Sequence, residues 1–225
     1  MRAGLLVVAS LSLGALRAQV IPTGSMRSTM WEGRRAGIIA MDTLALPGLY
    51  GMGPLAHMRG EITLINGHCH VAYFEGDSLV VTVDSTAKAP FFVHGHVKGW
   101  MDVPLPVAVR DRRTLEDMVG ALDRSEPFFF VLEGRFDSME VHVWDLPAGS
   151  SFTGPVEGAR FKRHLSLRDV HGKVLGVFSR KHRTVFTHHD SDVHLHFLSS
   201  DGRVMGHVDR VTFQGPAIRL SVAVP

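Results

Sequence analysis

The 225-residue chain has one cysteine, Cys69, and so cannot close an internal disulfide. It has no apolar run long enough to span a bilayer; the stretch Ala3–Leu16 is short and broken by Gly and Ser. It has no block of like charge. Arg110, Arg112 and Arg113 are interrupted by Asp111 and followed by acidic residues, which reads as a solvated turn. A formal net charge of +2 makes neither nucleic acid nor an acidic membrane surface an expected partner. No short internal repeat is visible. At 45% hydrophobic and 20% charged residues the composition is that of an ordinary soluble globular protein, long enough for one large or two small domains.

Residues 1–18 read as a secretory signal: Arg2 supplies the positive start, Ala3–Leu16 the apolar stretch, and cleavage is expected after Ala18. No cysteine follows the stretch, so there is no lipoprotein signature. The expected mature protein is exported, periplasmic or extracellular, and not inserted in a membrane once the signal is removed. One domain is expected over 19–225, with a subdivision near 110–125 left open.

Residues 19–35 mix Gly, Ser, Met and Pro without a period and read as an arm or loop. Strands are expected over 36–41, 61–65, 69–74, 79–83 and 91–97. Asn66-Gly67 is a strong hairpin signal between two of them. One clear helix is expected at Leu115–Leu122, capped by Thr114. Strands resume over 128–132, 139–144, 173–178, 193–198, 204–212 and 217–222. Strands, one helix, then strands argue for an α+β fold, β-rich with mostly antiparallel or mixed sheets and few helices.

What the chain has in excess is histidine, with 14 residues. Neutral imidazole is a common metal ligand. The most informative stretch runs from Asp192 to Asp209. His194 and His196 alternate with Val193, Leu195 and Phe197, so both imidazoles leave one face of a strand. Asp201-Gly202 is a favoured two-residue turn. If it closes the hairpin, Ser200 pairs with Arg203, His196 faces His207, and His194 lies opposite Asp209. Directly opposed residues have Cβ atoms roughly 4.5–5.5 Å apart. Three imidazoles meeting there suit Zn2+, and three protein ligands leave a tetrahedral ion one open position, the catalytic pattern. Copper, nickel and iron are also compatible. Asp209 or Asp192 could orient a ligand from behind.

Other histidines compete. His68 and His70 flank Cys69, and His94 and His96 flank Gly95; neither pair has a visible third partner. His188 and His189 read as loop residues near the site mouth. Cys69 reads as a small buried hydrophobe.

The segments His194-Leu-His196-Phe-Leu-Ser199 and Met205-Gly206-His207-Val208 resemble the zinc-binding strands of α-acetolactate decarboxylases. Lys173–Phe178, Tyr50-Gly51-Met52-Gly53, Gly60-Glu61-Ile62, Ala89-Pro90-Phe91 and Phe128–Phe136 resemble further segments of that family. The resemblance implies zinc-dependent decarboxylation of 2-acetolactate to acetoin, or of a similar β-keto acid, with the metal stabilising the enediolate. It puts Glu61 in the place of an active-site glutamate and leaves room for a homodimer. His142 stands where the family carries a carboxylate-binding arginine, and Pro54 where it carries a threonine. A second family glutamate lies in a C-terminal extension beyond the match. Arg59 or Arg135 could take over the carboxylate. Two other classes compete: a non-catalytic metal-binding protein of the cell envelope, and a cupin-like enzyme. The cupin pattern needs a Glu soon after His196, and none is there.

Overall fold

Alternating apolar and polar residues write most of the chain into strands. The computed structural model describes residues 20–224, so the expected signal segment lies outside the described residues. The first half supplies β1 (Val20–Thr23), β2 (Ile39–Ala40), β3 (Leu49–Pro54), β4 (Glu61–Ile65), β5 (His68–Glu75), β6 (Ser78–Val83), β7 (Lys88–Ala89) and β8 (Phe92–His96), with helix α1 (Met26–Trp31) after β1. Six of these strands form a sheet in the order β1-β8-β3-β4-β5-β6, while β2 and β7 make a two-stranded ribbon. The second half supplies β9 (Trp100–Val103), β10 (Phe128–Trp144), β11 (Lys162–Phe178), β12 (Val193–Ser199), β13 (Met205–Thr212) and β14 (Ile218–Ala223), with helices α2 (Arg112–Gly120) and α3 (Gly154–Gly158). Its sheet runs β11-β12-β13-β10-β14-β9, and β11 also pairs with β10, which closes four strands into a ring.

Every pairing between these strands is antiparallel. This is the β-rich α+β class that the sequence pattern implies. The passage from first to second sheet falls at 97–99, and residues 110–125 hold α2, which packs on the second sheet. No described helix is long and apolar enough to cross a membrane.

The alternation decides which face is dry. Phe130, Leu132, Val141, Leu195, Phe197 and Val208 fill the ring. Ile62 and Leu64 point into a second core under the first sheet, together with Cys69. Cys69 is thus the buried hydrophobe expected, and burial pushes its thiol pKa up to about 12. Met52, Val93, Phe129, Leu175 and Val177 join the two layers. Glu61 and Thr63, on the other face of β4, are thereby turned toward the second sheet.

Several elements differ from the sequence expectation. Residues 20–35 are not a loose arm: β1 pairs with β8, and Ser25 caps α1 by accepting the Ser28 amide at 3.1 Å. Only Ile39–Ala40 of the expected strand 36–41 is extended; the chain then winds into a short 3₁₀ turn that buries Met41 and Leu44. Strand β3 was hidden by its glycines. They are there because a Cβ at Gly51 would meet the Phe92 ring at 2.5 Å. Strands β10 and β11 are single 17-residue strands rather than short ones. The polar run 162–172 concealed half of β11, whose alternate residues face solvent. The cap of α2 is Asp111, which accepts the Thr114 amide at 2.8 Å; Thr114 is the third residue of a capping box.

Asn66 and Gly67 form the expected hairpin turn, with φ of 51° and 82°. At Gly67 a Cβ would also meet the Leu46 carbonyl oxygen at 2.5 Å. Gly67→Ala is therefore expected to cost about 1–3 kcal/mol in urea denaturation. A loss below about 0.5 kcal/mol would show that the turn tolerates a side chain.

Candidate metal centre

The hairpin between β12 and β13 has the register that the histidine spacing requires: His196 pairs with His207, Phe197 with Gly206 and Leu198 with Met205. The turn itself differs. Ser200 does not pair with Arg203; its amide bonds the His171 carbonyl. The Gly202 amide reaches back to the Ser199 carbonyl at 2.9 Å, and Ser199 Oγ accepts the Arg203 and Val204 amides. A two-residue turn of the expected type needs positive φ at both centres, and only Gly202 has it, at 70°. Replacing a two-residue loop by a four-residue one leaves the pairing of the strands unchanged, so the histidine faces survive.

Asp209 does not sit opposite His194 in the ladder. The β10–β13 register shifts between Glu140 and Val141, which pair with Arg210 and Val208, so Asp209 is the extra residue of a bulge. The bulge re-aims its carboxylate. Both oxygens lie 2.9 Å from His142 Nδ1, which donates to them. His207 Nδ1 is 3.3 Å from Oδ1 and His164 Nδ1 is 3.4 Å from Oδ2. Asp192, the other expected orienting carboxylate, is engaged elsewhere: it accepts from Arg183 Nε at 2.7 Å.

The structure gathers His194, His196, His207, Glu61 and His142 into one buried cluster between the sheets. Ring centroids are 4.9 Å apart for His194 and His196, 5.1 Å for His194 and His207, and 5.7 Å for His196 and His207. Glu61 Oε2 lies 3.7 Å from His196 Nε2, and Oε1 lies 3.9 Å from His142 Nε2. Thr63 Oγ1 bonds His196 Nδ1 at 2.9 Å. His194 and His207 line a pocket of about 100 Å³, room for a small molecule, while His196 is covered behind them. Met26, Met30 and Trp31 of α1 form part of its wall.

Two pocket residues were not identified as site residues from sequence. His188 Nε2 lies 2.9 Å from His207 Nε2, inside the mouth. Lys162 also lines the pocket. Arg59 and Arg135 do not: Arg59 is exposed, and Arg135 pairs with Asp169 on the surface. The rival histidines form no such group among the described residues; His68 and His96 are exposed.

Burial governs the protonation. It drives His194, His196 and His207 well below the ordinary imidazole value, with neighbouring imidazoles adding to the effect. It brings His142 and His188 down to about 4. It raises Glu61 well above the carboxylate range. Burial opposes ionisation of Asp209 too, but contact with His142 and His207 outweighs it and holds that carboxyl far below its usual range. At neutral pH the cluster thus holds neutral imidazoles and an ionised Asp209, while burial favours the protonated form of Glu61.

Among the described residues one set of donors lies close enough together to hold an ion. One atom each from His142, His207 and Asp209 lie within 4.8 Å of one another. Yet His142 and Asp209 already satisfy each other by hydrogen bonding. His194 Nδ1, His196 Nε2 and His207 Nδ1 are each buried with no hydrogen-bond partner, His207 Nδ1 lying 3.3 Å from Asp209 Oδ1. Such atoms are costly unless something binds them, and a cation suits neutral nitrogens.

An antiparallel α+β body with a histidine pocket between its sheets is the acetolactate-decarboxylase-like fold. The alpha-acetolactate decarboxylase of Bacillus subtilis strain 168 superposes with a TM-score of 0.74 at 15% identity, over 92% of this chain and 85% of that one. A Staphylococcus aureus protein of unknown function similar to alpha-acetolactate decarboxylase gives 0.72 at 17%, over 90% and 84%. The acetolactate decarboxylase of Bacillus subtilis subspecies spizizenii gives 0.72 at 16%, over 92% and 86%. No curated protein matches significantly in sequence. The chain belongs to the alpha-acetolactate decarboxylase family, whose model matches residues 23–224. Membership supports a decarboxylase of this type acting on a small molecule.

The protonation pattern fixes a pH response. The four buried imidazoles and half-buried His188 titrate near 6.5 when unfolded but far lower when folded, so between pH 6.5 and about 4 the unfolded state binds more protons and stability falls on acidification. Glu61, raised in the fold, acts in the opposite sense above 4.5, as one group against five. Metal-free protein should melt several degrees lower at pH 5 than at pH 7 in a thermal scan; an equal or higher melting point at pH 5 would contradict the neutral cluster.

Proposed function

We propose that the protein decarboxylates 2-acetolactate to acetoin, or a closely similar β-keto acid, using a divalent metal ion, zinc foremost, held by His194, His196 and His207. The supporting observation is the three buried imidazole nitrogens without a hydrogen-bond partner, one on each of these residues. A bound ion there supplies Lewis-acid stabilisation of the charge that develops on the substrate oxygens as CO₂ leaves.

The chain's own residues do the rest. Glu61 carries a proton at the start, because its carboxyl is buried between His196 and His142. It is the group in reach that can give that proton to carbon after C–C cleavage. Asp209 fixes His142 by taking its Nδ1 hydrogen, so Nε2 faces Glu61 as an acceptor that can align a substrate hydroxyl or relay the proton. Thr63 holds the His196 ring in orientation through Nδ1. The apolar wall from α1 keeps bulk water from the reacting atoms.

A second reading, metal holding in the cell envelope without catalysis, draws on one contact: His188 Nε2 lies 2.9 Å from His207 Nε2, so these two nitrogens could share an ion on the other side of the His207 ring. Metal analysis coupled to an acetoin assay separates the two. Purified protein is expected to carry about one zinc per chain and to release CO₂ and acetoin from acetolactate. His196→Ala should lose both metal and activity. Glu61→Gln should keep the metal and lose roughly 10²–10⁴ in kcat. Metal-loaded wild type that leaves acetolactate intact would favour the holding role. We also read the protein as exported, from Arg2 and the apolar stretch behind it. N-terminal sequencing of the mature form should begin at Gln19; a retained Met1 would contradict export by cleavage.

A further inference from the structure

We propose that Lys162 is the group that binds the substrate's carboxylate, a role that rests on the decarboxylase reading above. The argument begins with charge. A β-keto acid enters as an anion, and a dry pocket must offer it a cation. Among the residues lining the histidine pocket Lys162 is the one lysine or arginine. His142 is held neutral, and Arg59 and Arg135 lie outside. The β10–β11 register pairs His142 with His164 and Trp144 with Lys162, so Lys162 stands beside Trp144 on the face that carries His142. Its Nζ is 5.1 Å from the Trp144 ring centroid, and Trp144 itself lines the pocket. Among the described residues the ammonium makes no hydrogen bond or ion pair; beyond the Trp144 ring, the negative charge acting on it is that of the more distant Asp209. A half-buried ammonium without a direct partner is costly, and an incoming carboxylate supplies one.

The chemistry gives this contact a signature. As CO₂ departs, the C–C electron pair moves toward the ketone oxygen and the charge leaves the neighbourhood of Lys162. The ion pair is therefore worth more in the bound substrate than in the transition state, and acetoin, being neutral, gains nothing from it. Losing it should raise KM with kcat unchanged or slightly higher.

The test uses full-length, metal-loaded protein with Lys162→Met, Lys162→Gln and Lys162→Arg, each checked by melting temperature and metal content. Met keeps the stem that packs on Trp144; Gln serves if Met does not fold. Expected for Met or Gln is a rise in acetolactate KM of roughly tenfold to a hundredfold, with kcat and the inhibition constant for acetoin unchanged, and Arg within a few-fold of wild type. An unchanged KM, or equal weakening toward acetoin, overturns the role of Lys162 while leaving the decarboxylase reading intact. If wild type does not turn over acetolactate, that reading falls, and calorimetric titration with 2-hydroxy-2-methylpropanoate decides the rest. Binding by wild type that Met or Gln abolishes still supports Lys162 as a carboxylate site; equal binding, or none, overturns it.

Discussion

Opposition of His196 and His207 across one β-turn is the constraint on which the site depends. Side chains alternate along a strand, so a slip of one residue would send His207 into the ring of Phe and Val side chains and bring Val208 to the pocket. What prevents the slip is the ring itself. Leu195, Phe197 and Val208 are almost fully buried there. Exposing three such side chains would cost on the order of 1.5–3 kcal/mol each. The histidines gain their position from the packing of their neighbours. Layering of the sheets then brings Glu61 and Thr63 of β4 against that face, and α1 with the loop after β11 completes the pocket around them.

Burying four imidazoles side by side, with His188 against them, works against folding, because each loses water and neighbouring rings repel if charged. Asp209 offsets part of this. As the bulged residue it has no ladder partner on β10, and its freed carboxylate bonds His142 while lying against His207. The bulge thus turns an irregularity of pairing into the one stable negative charge of the cluster. Beside it Glu61, without comparable hydrogen bonds, is pushed by burial toward its protonated form. Two neighbouring carboxyl groups are shifted in opposite directions by what they touch.

The hairpin histidines were legible because period two and a turn signal are local rules, and local rules survive folding. The Asn66-Gly67 turn was legible for the same reason. Lys162 was not, because it opens a strand among charged residues and only its pairing with Trp144, across eighteen positions of sequence, brings it to the pocket. His188 was placed near the mouth, but its contact with His207 depends on how the loop after β11 folds back. Asp209 was expected behind a ligand but opposite the wrong residue, since a bulge leaves no mark in an alternating pattern. The region 19–35 looked structureless because its residues serve three neighbours in succession: a sheet edge, a helix cap and a pocket wall.

The attachment of that region has a consequence of its own. The amides of Met26 and Arg27 donate to the carbonyls of Val185 and Thr184, tying the start of α1 to the loop that carries His188. These links use backbone atoms alone, so they are indifferent to which side chains stand at 26 and 27. For these two bonds only proline is excluded: its ring nitrogen has no hydrogen to give, and it would untie the loop from the helix at either place.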